Sequence, residues 1–270
     1  LGSDHPGAYT SMPHPCFGAM QASFSPDKLF QRGHYVDDAV GRTLQMPPRY
    51  SMSFGDFLDH DAALKGSGEH VAVTQSPSRD LSEFNLPSLP PHLESLVGPT
   101  LNARNFWAAS APKVSVLHYD WQDSVLLQLS GRKRFTIIDP ARMQAAYPAV
   151  MKQERLVRDA PGKYSRVGTS VEIDNFPLVN LTHPDLERHP LFKDAQMMTV
   201  ELAPGDALLL PAAWYHQVES FSDDDGLCIA VNYWFQGNSL ATRLYRTVRE
   251  NLFINCSIPK RAGILHPCRQ

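Results

Sequence analysis

Cysteine is scarce in this chain: four stand among 270 residues, Cys16, Cys228, Cys256 and Cys268. They form no C-x-x-C pair and no dense framework, which excludes a disulfide scaffold and a structural zinc finger. Reduced thiols in the cytoplasm or nucleus are the expectation. A basic excess is also lacking. Lys+Arg number 25 against 28 Asp+Glu, a formal net charge of −3, so a protein that lives by gripping phosphate backbones is disfavoured. Long apolar runs are missing too. Stretches such as Ala207–Ala213 fall far short of the roughly 20 residues that span a bilayer, so no membrane partner is expected. Internal repeats and low-complexity tracts are absent. No basic-then-apolar leader opens the chain, and its start, Leu1-Gly2-Ser3, lacks Met, so a removed leader stays open. What is present is ordinary: 43% hydrophobic and 20% charged residues make a globular protein, not a disordered, collagen-like or coiled-coil one.

Composition divides the chain into an N-terminal region (1–104), a barrel region (105–237) with an insertion (139–195), and a C-terminal helix and tail (238–270). Residues 1–50, rich in Pro, Gly, His and Met, read as a loosely structured arm. Ser53 caps a short helix whose Phe54, Phe57 and Leu58 share a face. His70–Gln75 alternates like a strand, and Pro87, Pro90 and Pro91 force a loop before a helix at His92–Val97. From Asn105 onward strands dominate: Asn105–Ala109, Val114–Asp120, Val125–Leu129 and Lys133–Ile138, the last two joined by a tight turn at Ser130-Gly131-Arg132. The insertion is polar, contains Pro and shows no strong periodicity. Strands resume at Met197–Leu202, Ala207–Leu210 and Leu227–Phe235. After Gly237, Leu240, Leu244, Tyr245, Val248 and Leu252 form one apolar helical stripe. Two strand clusters separated by an excursion predict a mainly β, double-stranded β-helix (jelly-roll) barrel with flanking helices and a C-terminal helix.

The candidate chemistry centres on His118-Tyr119-Asp120. On a strand, residues i and i+2 share a face, so the imidazole and the carboxylate converge while Tyr119 turns away. They supply two ligands to a divalent metal, and a second His would complete the two-His-one-carboxylate triad that leaves positions open on Fe(II). Eleven His and 28 acidic residues yield about one H-x-[DE] match by chance, so context has to choose among the three that occur. His92-Leu93-Glu94 falls in a helical stretch, where i and i+2 diverge. His183-Pro184-Asp185 has Pro inside it and sits in the irregular insertion. His118-Tyr119-Asp120 lies on a strand leading into a hairpin; the alternative for it is a buried structural His. Lys133, fifteen positions after His118, opens a mostly apolar strand, where an inward ammonium needs an anionic partner. Its other reading is an exposed edge lysine, like Arg132 and Arg134 beside it. His216 follows the apolar strand that ends at Pro211, at the mouth of the barrel, where the first pair can also converge.

From about Asn105 to Gly237 the chain resembles the JmjC-domain, cupin-like Fe(II)/2-oxoglutarate oxygenases, in particular their protein-hydroxylase branch. The matching stretches are Asn105-Phe106-Trp107, SVLHYDWQDSVLLQLSGRKRF from Ser115 to Phe135, PGDALLLPAAWYHQVES from Pro204 to Ser220, and AVNYWF from Ala230 to Phe235. Ser51–Leu58 and Leu181–Phe192 also look like the family. The resemblance implies that His118, Asp120 and His216 hold Fe(II). It implies that Lys133 pairs with the far carboxylate of 2-oxoglutarate, with Ser115 bonding the same group in place of the usual Thr. Asn232 and Trp234 match the family's Asn-x-Trp positions on the strand beneath the cosubstrate, and Asn105 matches an Asn in the strand before the His-x-Asp motif. The gap between His118 and Lys133 looks like that of the hydroxylases. Three departures stand out: Ser124 where Asn is common, Leu126 where an aromatic residue is usual, and no Tyr in His70–Gln75.

The implied activity is hydroxylation of a protein side chain, with dioxygen as cosubstrate and 2-oxoglutarate decarboxylated to succinate. The alternatives are a JmjC lysine demethylase or an RNA-base hydroxylase, which the lysine spacing and the acidic charge oppose. From another class, a catalytically silent cupin that binds metal or a partner is kept alive by Ser124 and Leu126. The resemblance also implies a homodimer through the C-terminal helix. On composition alone, Trp107, Trp214 and Trp234 read as barrel packing, and Arg243, Arg246 and Arg249 as a solvated face. Cys256, His266 and Cys268 read as tail, not a metal site.

Overall fold

Short β-branched and aromatic segments separated by tight turns fold as a mainly β protein. The computed structural model describes residues 20–26, 32–34, 43–77, 89–97, 101–110, 112–222 and 226–235, all within the unit Leu1–Gln236. The expected C-terminal helix, its dimer contact and Arg stripe, and Cys16, Cys256, His266 and Cys268 lie outside the described residues.

The larger sheet is built on β6 (Leu101–Ala109), β8 (Asp123–Ser130) and β15 (Cys228–Phe235). β13 (Ala207–Leu210) adds one edge, and β5 (His70–Pro77), β1 (Met20–Ser25) and β4 (Arg49–Met52) extend the other, in the order β13-β8-β15-β6-β5-β1-β4. A second sheet runs through β12 (Met197–Leu202), β9 (Arg132–Ile138), β14 (Tyr215–Phe221) and β7 (Lys113–His118) in that order. The strand pairs in both are antiparallel. Their facing side chains meet in one apolar cluster: Phe135, Ile137 and Leu202 of the second sheet with Leu210 and Leu126 of the first. The two sheets are therefore the walls of a jelly roll.

The hairpin that joins the walls is pinned at Gly131, whose φ is +65°. A Cβ there would lie 2.5 Å from the Phe221 carbonyl oxygen and 2.9 Å from Cys228 Cα. Only glycine satisfies both the left-handed backbone and the close approach. That turn sets the register of β9 against β14, and with it the position of Lys133.

Three regions differ from the sequence reading. The insertion is no irregular excursion: β10 (Met151–Ala160) and β11 (Lys163–Ile173) form a long hairpin, which β3 (Thr43–Met46) joins in parallel and β2 (Arg32–His34) extends. β11 is exposed along most of its length, so it carries no apolar alternation to read. Part of the supposed loose arm is strand as well. β1 hides its pattern because Ala22, Ser23 and Ser25 are among its buried residues, with Ser23 Oγ 2.7 Å from Thr74 Oγ1. β14 also went unread, because its buried positions include Gln217 and Ser220 beside Tyr215.

The supporting helices follow their caps. α1 (Phe54–Leu64) begins at Ser53, whose Oγ accepts from the Asp56 N–H at 3.0 Å while the Ser53 N–H donates to Asp56 Oδ2 at 3.2 Å. It closes a reciprocal capping box. Phe57 is buried from this helix against the larger sheet. α2 (Pro91–Val97) starts at a proline, as a first helical turn allows. The hairpin of the insertion is fixed to the barrel by Arg158, whose guanidinium grips Glu69 in two bonds of 2.7 and 2.9 Å, with both side chains buried.

Candidate functional site

β7 and β14 are neighbours, and His118 and His216 stand opposite each other across them. Further down the same pair Val218 faces Ser115, so β7 carries one extra residue between the two rows. This irregularity turns His118 rather than Leu117 toward His216, a re-aiming of the kind that bulges produce. β7 ends at His118, two residues earlier than expected, and Asp120 lies just past it. The His118 and His216 Nε2 atoms are 4.0 and 3.9 Å from the Asp120 carboxylate oxygens. The ligand atoms of all three residues lie within 4.8 Å of one another. Among the described residues this is the one group of three or more His, Cys, Asp or Glu side chains so arranged.

Each ring is held in one orientation by the backbone. His118 Nδ1 is 2.7 Å from the Val116 carbonyl and His216 Nδ1 is 2.9 Å from the Trp214 carbonyl. A carbonyl only accepts, so both Nδ1 atoms carry a proton, and both Nε2 atoms face Asp120. Burial, reinforced by nearby His118, lowers the His216 pKa to about 4 against the opposing pull of Asp120 and the Trp214 bond. His216 is therefore neutral near pH 7, the state that binds metal. Phe176 stacks on the His118 ring, with centroids 5.4 Å apart and planes 18° from parallel.

The backbone between the ligands is fixed from outside. The Tyr119 N–H donates to the Asn175 carbonyl at 3.0 Å, and Asn175 Nδ2 donates back to the Tyr119 carbonyl at 2.8 Å. On the other side the Asp120 carbonyl accepts from the Ala213 N–H at 2.9 Å. Ala213 sits at φ +73°, and Asp123 Oδ1 accepts from the preceding Ala212 N–H at 2.6 Å. A strained turn before His216 is thus tied both to Asp120 and to the start of β8.

His118, Asp120 and His216 open into a cavity of about 320 Å³ between the two sheets. Ser115, Lys133, Asn232 and Trp234 line it, together with Ser124 and Leu126. Lys133 is buried, not an edge lysine, and its Nζ donates to Ser220 Oγ at 2.6 Å. Burial pulls its pKa below the usual lysine range, partly offset by the Cys228 thiol. Asn232 Oδ1 accepts from Trp107 Nε1 at 2.9 Å. Trp234 Nε1 is a buried donor with no hydrogen-bond partner. Such donors are uncommon in finished cores, and a carboxylate-bearing ligand beside them fits.

Asn105 is the exception to the expected set. In-register pairing puts Leu126, Asn232 and Asn105 in one row across β8, β15 and β6. The first two line the cavity; Asn105 is one strand farther out, buried, and does not. The residues that sequence reasoning missed are Asn175, Phe176, Asp123 and Lys113, of which Asn175, Phe176 and Lys113 also line the cavity. Lys113 had a legible signal, since it alternates with Ser115 along β7. Asn175 and Phe176 had none, because their part of the insertion shows no pattern.

Comparison with known proteins places this architecture. Residues 24–240 match the family model described as a cupin-like domain. The chain is 30% identical over 238 residues to the human "Bifunctional peptidase and (3S)-lysyl hydroxylase JMJD7", covering 82% of this chain and 71% of that protein. It is 31% identical to the Arabidopsis thaliana "Lysine-specific demethylase JMJ31", over 53% of this chain and 22% of that protein. It is 32% identical to the Mus musculus "tRNA wybutosine-synthesizing protein 5", over 38% of this chain and 25% of that protein.

Proposed function

Because the chain belongs to the cupin-like domain family and joins a His-Asp-His group to a buried lysine through one cavity, we propose that it is an Fe(II)- and 2-oxoglutarate-dependent oxygenase that hydroxylates a protein side chain. The observation that carries this reading is the pairing of His118, Asp120 and His216 at one end of the cavity with Lys133 at the other. Three hard or borderline donors on one side of a metal leave its remaining positions free for a chelating acid and dioxygen. When bound, iron with 2-oxoglutarate supplies the oxidation, in which the acid becomes succinate and carbon dioxide and one oxygen atom enters a C–H bond.

The chain's own residues do the positioning. The Nδ1 bonds to Val116 and Trp214 aim both imidazoles, and the Asn175 clamp holds the peptide between His118 and Asp120. Lys133 offers a charge-assisted bond to the far carboxylate of the acid, with Ser115 beside it. Leu126, Phe135, Leu208 and Val218 wall the cavity and exclude water from the reacting end. The lysyl hydroxylase named among the relatives, which spans most of this chain, supports a side chain as substrate. Net acidity supports protein over nucleic acid, against the relative named tRNA wybutosine-synthesizing protein 5.

Succinate formation from 2-oxoglutarate with added Fe(II), with and without peptide pools, tests the reading against His216→Ala. Turnover in the wild type and none in the variant is the expected result. A product heavier by about 16 Da marks hydroxylation, whereas loss of a methyl group marks the demethylase alternative. Absence of turnover together with absence of iron and 2-oxoglutarate binding overturns the proposal. Tight binding without turnover favours the silent cupin.

A further inference from the structure

A second buried lysine lines the same cavity. Lys113 of β7 is 4% exposed, and its strand register puts it level with Lys133: Ser220 of β14 faces Lys113 on one side and Lys133 on the other. Residues directly opposite on antiparallel strands share a face, and all three side chains are buried. The next row is Phe135, Val218 and Ser115, and the row at the metal end holds His216 and His118. From His216 to Ser220 is four residues of strand, about 13 Å. Both ammonium groups thus belong to the end of the cavity opposite the metal ligands.

Lys133 Nζ donates to Ser220 Oγ at 2.6 Å. Lys113 Nζ lies 4.8 Å from the centroid of the Trp107 ring, whose Nε1 is anchored on Asn232 Oδ1. Burial drives the Lys113 pKa well below the usual lysine range; Lys133 and Arg49 push the same way, and the Cys228 thiol opposes them. Two buried ammonium groups side by side repel each other, and an anion placed between them relieves that repulsion. A carboxylate has two oxygens and accepts from both at once.

We propose that Lys113 is a second anion-binding residue of the cavity, which with Lys133 grips the far carboxylate of a 2-oxo dicarboxylic acid and selects acids charged at both ends. The inference rests on the oxoacid reading above. Its test is binding, measured by calorimetry with Mn(II) in place of iron, for 2-oxoglutarate and for 2-oxopentanoate, an acid of the same chain length without the far carboxylate. Wild-type protein prefers 2-oxoglutarate. Lys113→Met lowers 2-oxoglutarate affinity about tenfold or more, as loss of a charge-assisted bond requires, and leaves 2-oxopentanoate unchanged. Lys113→Arg, which keeps the charge, retains the preference. In Lys133→Met, with Lys113 in place, a reduced preference for 2-oxoglutarate persists.

Lys113→Met binding 2-oxoglutarate like the wild type overturns the proposal. So does an equal loss for both acids, which marks a packing role, or a Lys133→Met variant with no preference at all. That last arm holds even where Lys113→Met does not fold. Wild-type protein that binds neither acid with Mn(II) overturns the oxoacid reading itself; the other adverse outcomes leave that reading intact.

Discussion

Asn175→Ala removes one side of the clamp on the peptide between His118 and Asp120. The lost bond is Asn175 Nδ2 to the Tyr119 carbonyl, 2.8 Å long, beside a Tyr119 side chain only 1% exposed. An orphaned buried acceptor costs about 1–3 kcal/mol. The backbone bond from the Tyr119 N–H to the Asn175 carbonyl survives the substitution, so the segment stays attached but its peptide plane is free to tilt. Tilting moves His118 and Asp120 relative to each other, and the loss divides between fold stability and metal binding. Partners that orient metal ligands typically change affinity 10- to 100-fold, so a rise of about tenfold in the Mn(II) dissociation constant is expected. A fall in melting temperature of about 2–4 °C per kcal/mol accompanies it. Asn175→Asp, which sets an oxygen against the carbonyl, is at least as damaging. Metal titration and thermal unfolding on the same samples read both effects. An unchanged dissociation constant would refute the reasoning: with a lower melting temperature, Asn175 secures the insertion alone; with an unchanged one, the clamp carries nothing.

Three further outcomes follow from the same structure. Gly131→Ala forces a Cβ to within 2.5 Å of the Phe221 carbonyl oxygen at a φ of +65°, which costs at least about 1–3 kcal/mol; a urea midpoint equal to wild type contradicts this. Glu69→Gln removes the carboxylate charge that faces the buried Arg158 guanidinium, and loss of about 3–5 kcal/mol is expected, read by denaturant unfolding and by protease cleavage in the β10–β11 hairpin. His216 gives the metal-free protein a pH dependence. Its folded pKa of about 4 lies below the ordinary 6.5, so the unfolded chain binds the proton more readily. The stability this contributes is complete above about 6.5 and declines as pH falls through the window toward 4, by roughly 3 kcal/mol in all. Unfolding of metal-free wild type and His216→Asn at pH 7 and pH 4.5 checks the sign, and equal slopes in the two proteins argue against it.

How much of this was legible in the sequence varied with the physics of each element. β6, β8, β9 and β15 were readable because each is a short run rich in β-branched, aromatic or other apolar residues, bounded by turn residues. His118 and Asp120 were readable from their spacing at a strand end, although β7 stops at His118 and Asp120 lies just past it. His216 was readable from its place after the apolar strand, with the pairing that sets it opposite His118 seen only in the fold. β1 and β14 were hidden because they bury serines and a glutamine, which look like surface residues until their partners are known. β11 was hidden for the opposite reason, since it is exposed along most of its length. The Asn175 clamp and the Arg158–Glu69 pair join residues 56 and 89 positions apart, and no local pattern records such contacts. Asn105 marks the limit of carrying a role over by motif: its residue type matched, yet it does not line the cavity, although Trp107 of the same strand does.

The most direct measurement is an anaerobic titration of the metal-free protein with Fe(II) and 2-oxoglutarate, followed by visible absorption. A 2-oxoacid chelating Fe(II) through its keto group and near carboxylate gives a charge-transfer band that neither component gives alone. The site described here predicts that band in the wild type, saturating at one iron per chain, and its loss in Asp120→Ala and His216→Ala. No band in wild-type protein that has bound iron, or a band that survives both substitutions, would contradict the assignment of His118, Asp120 and His216 as the centre of the reaction.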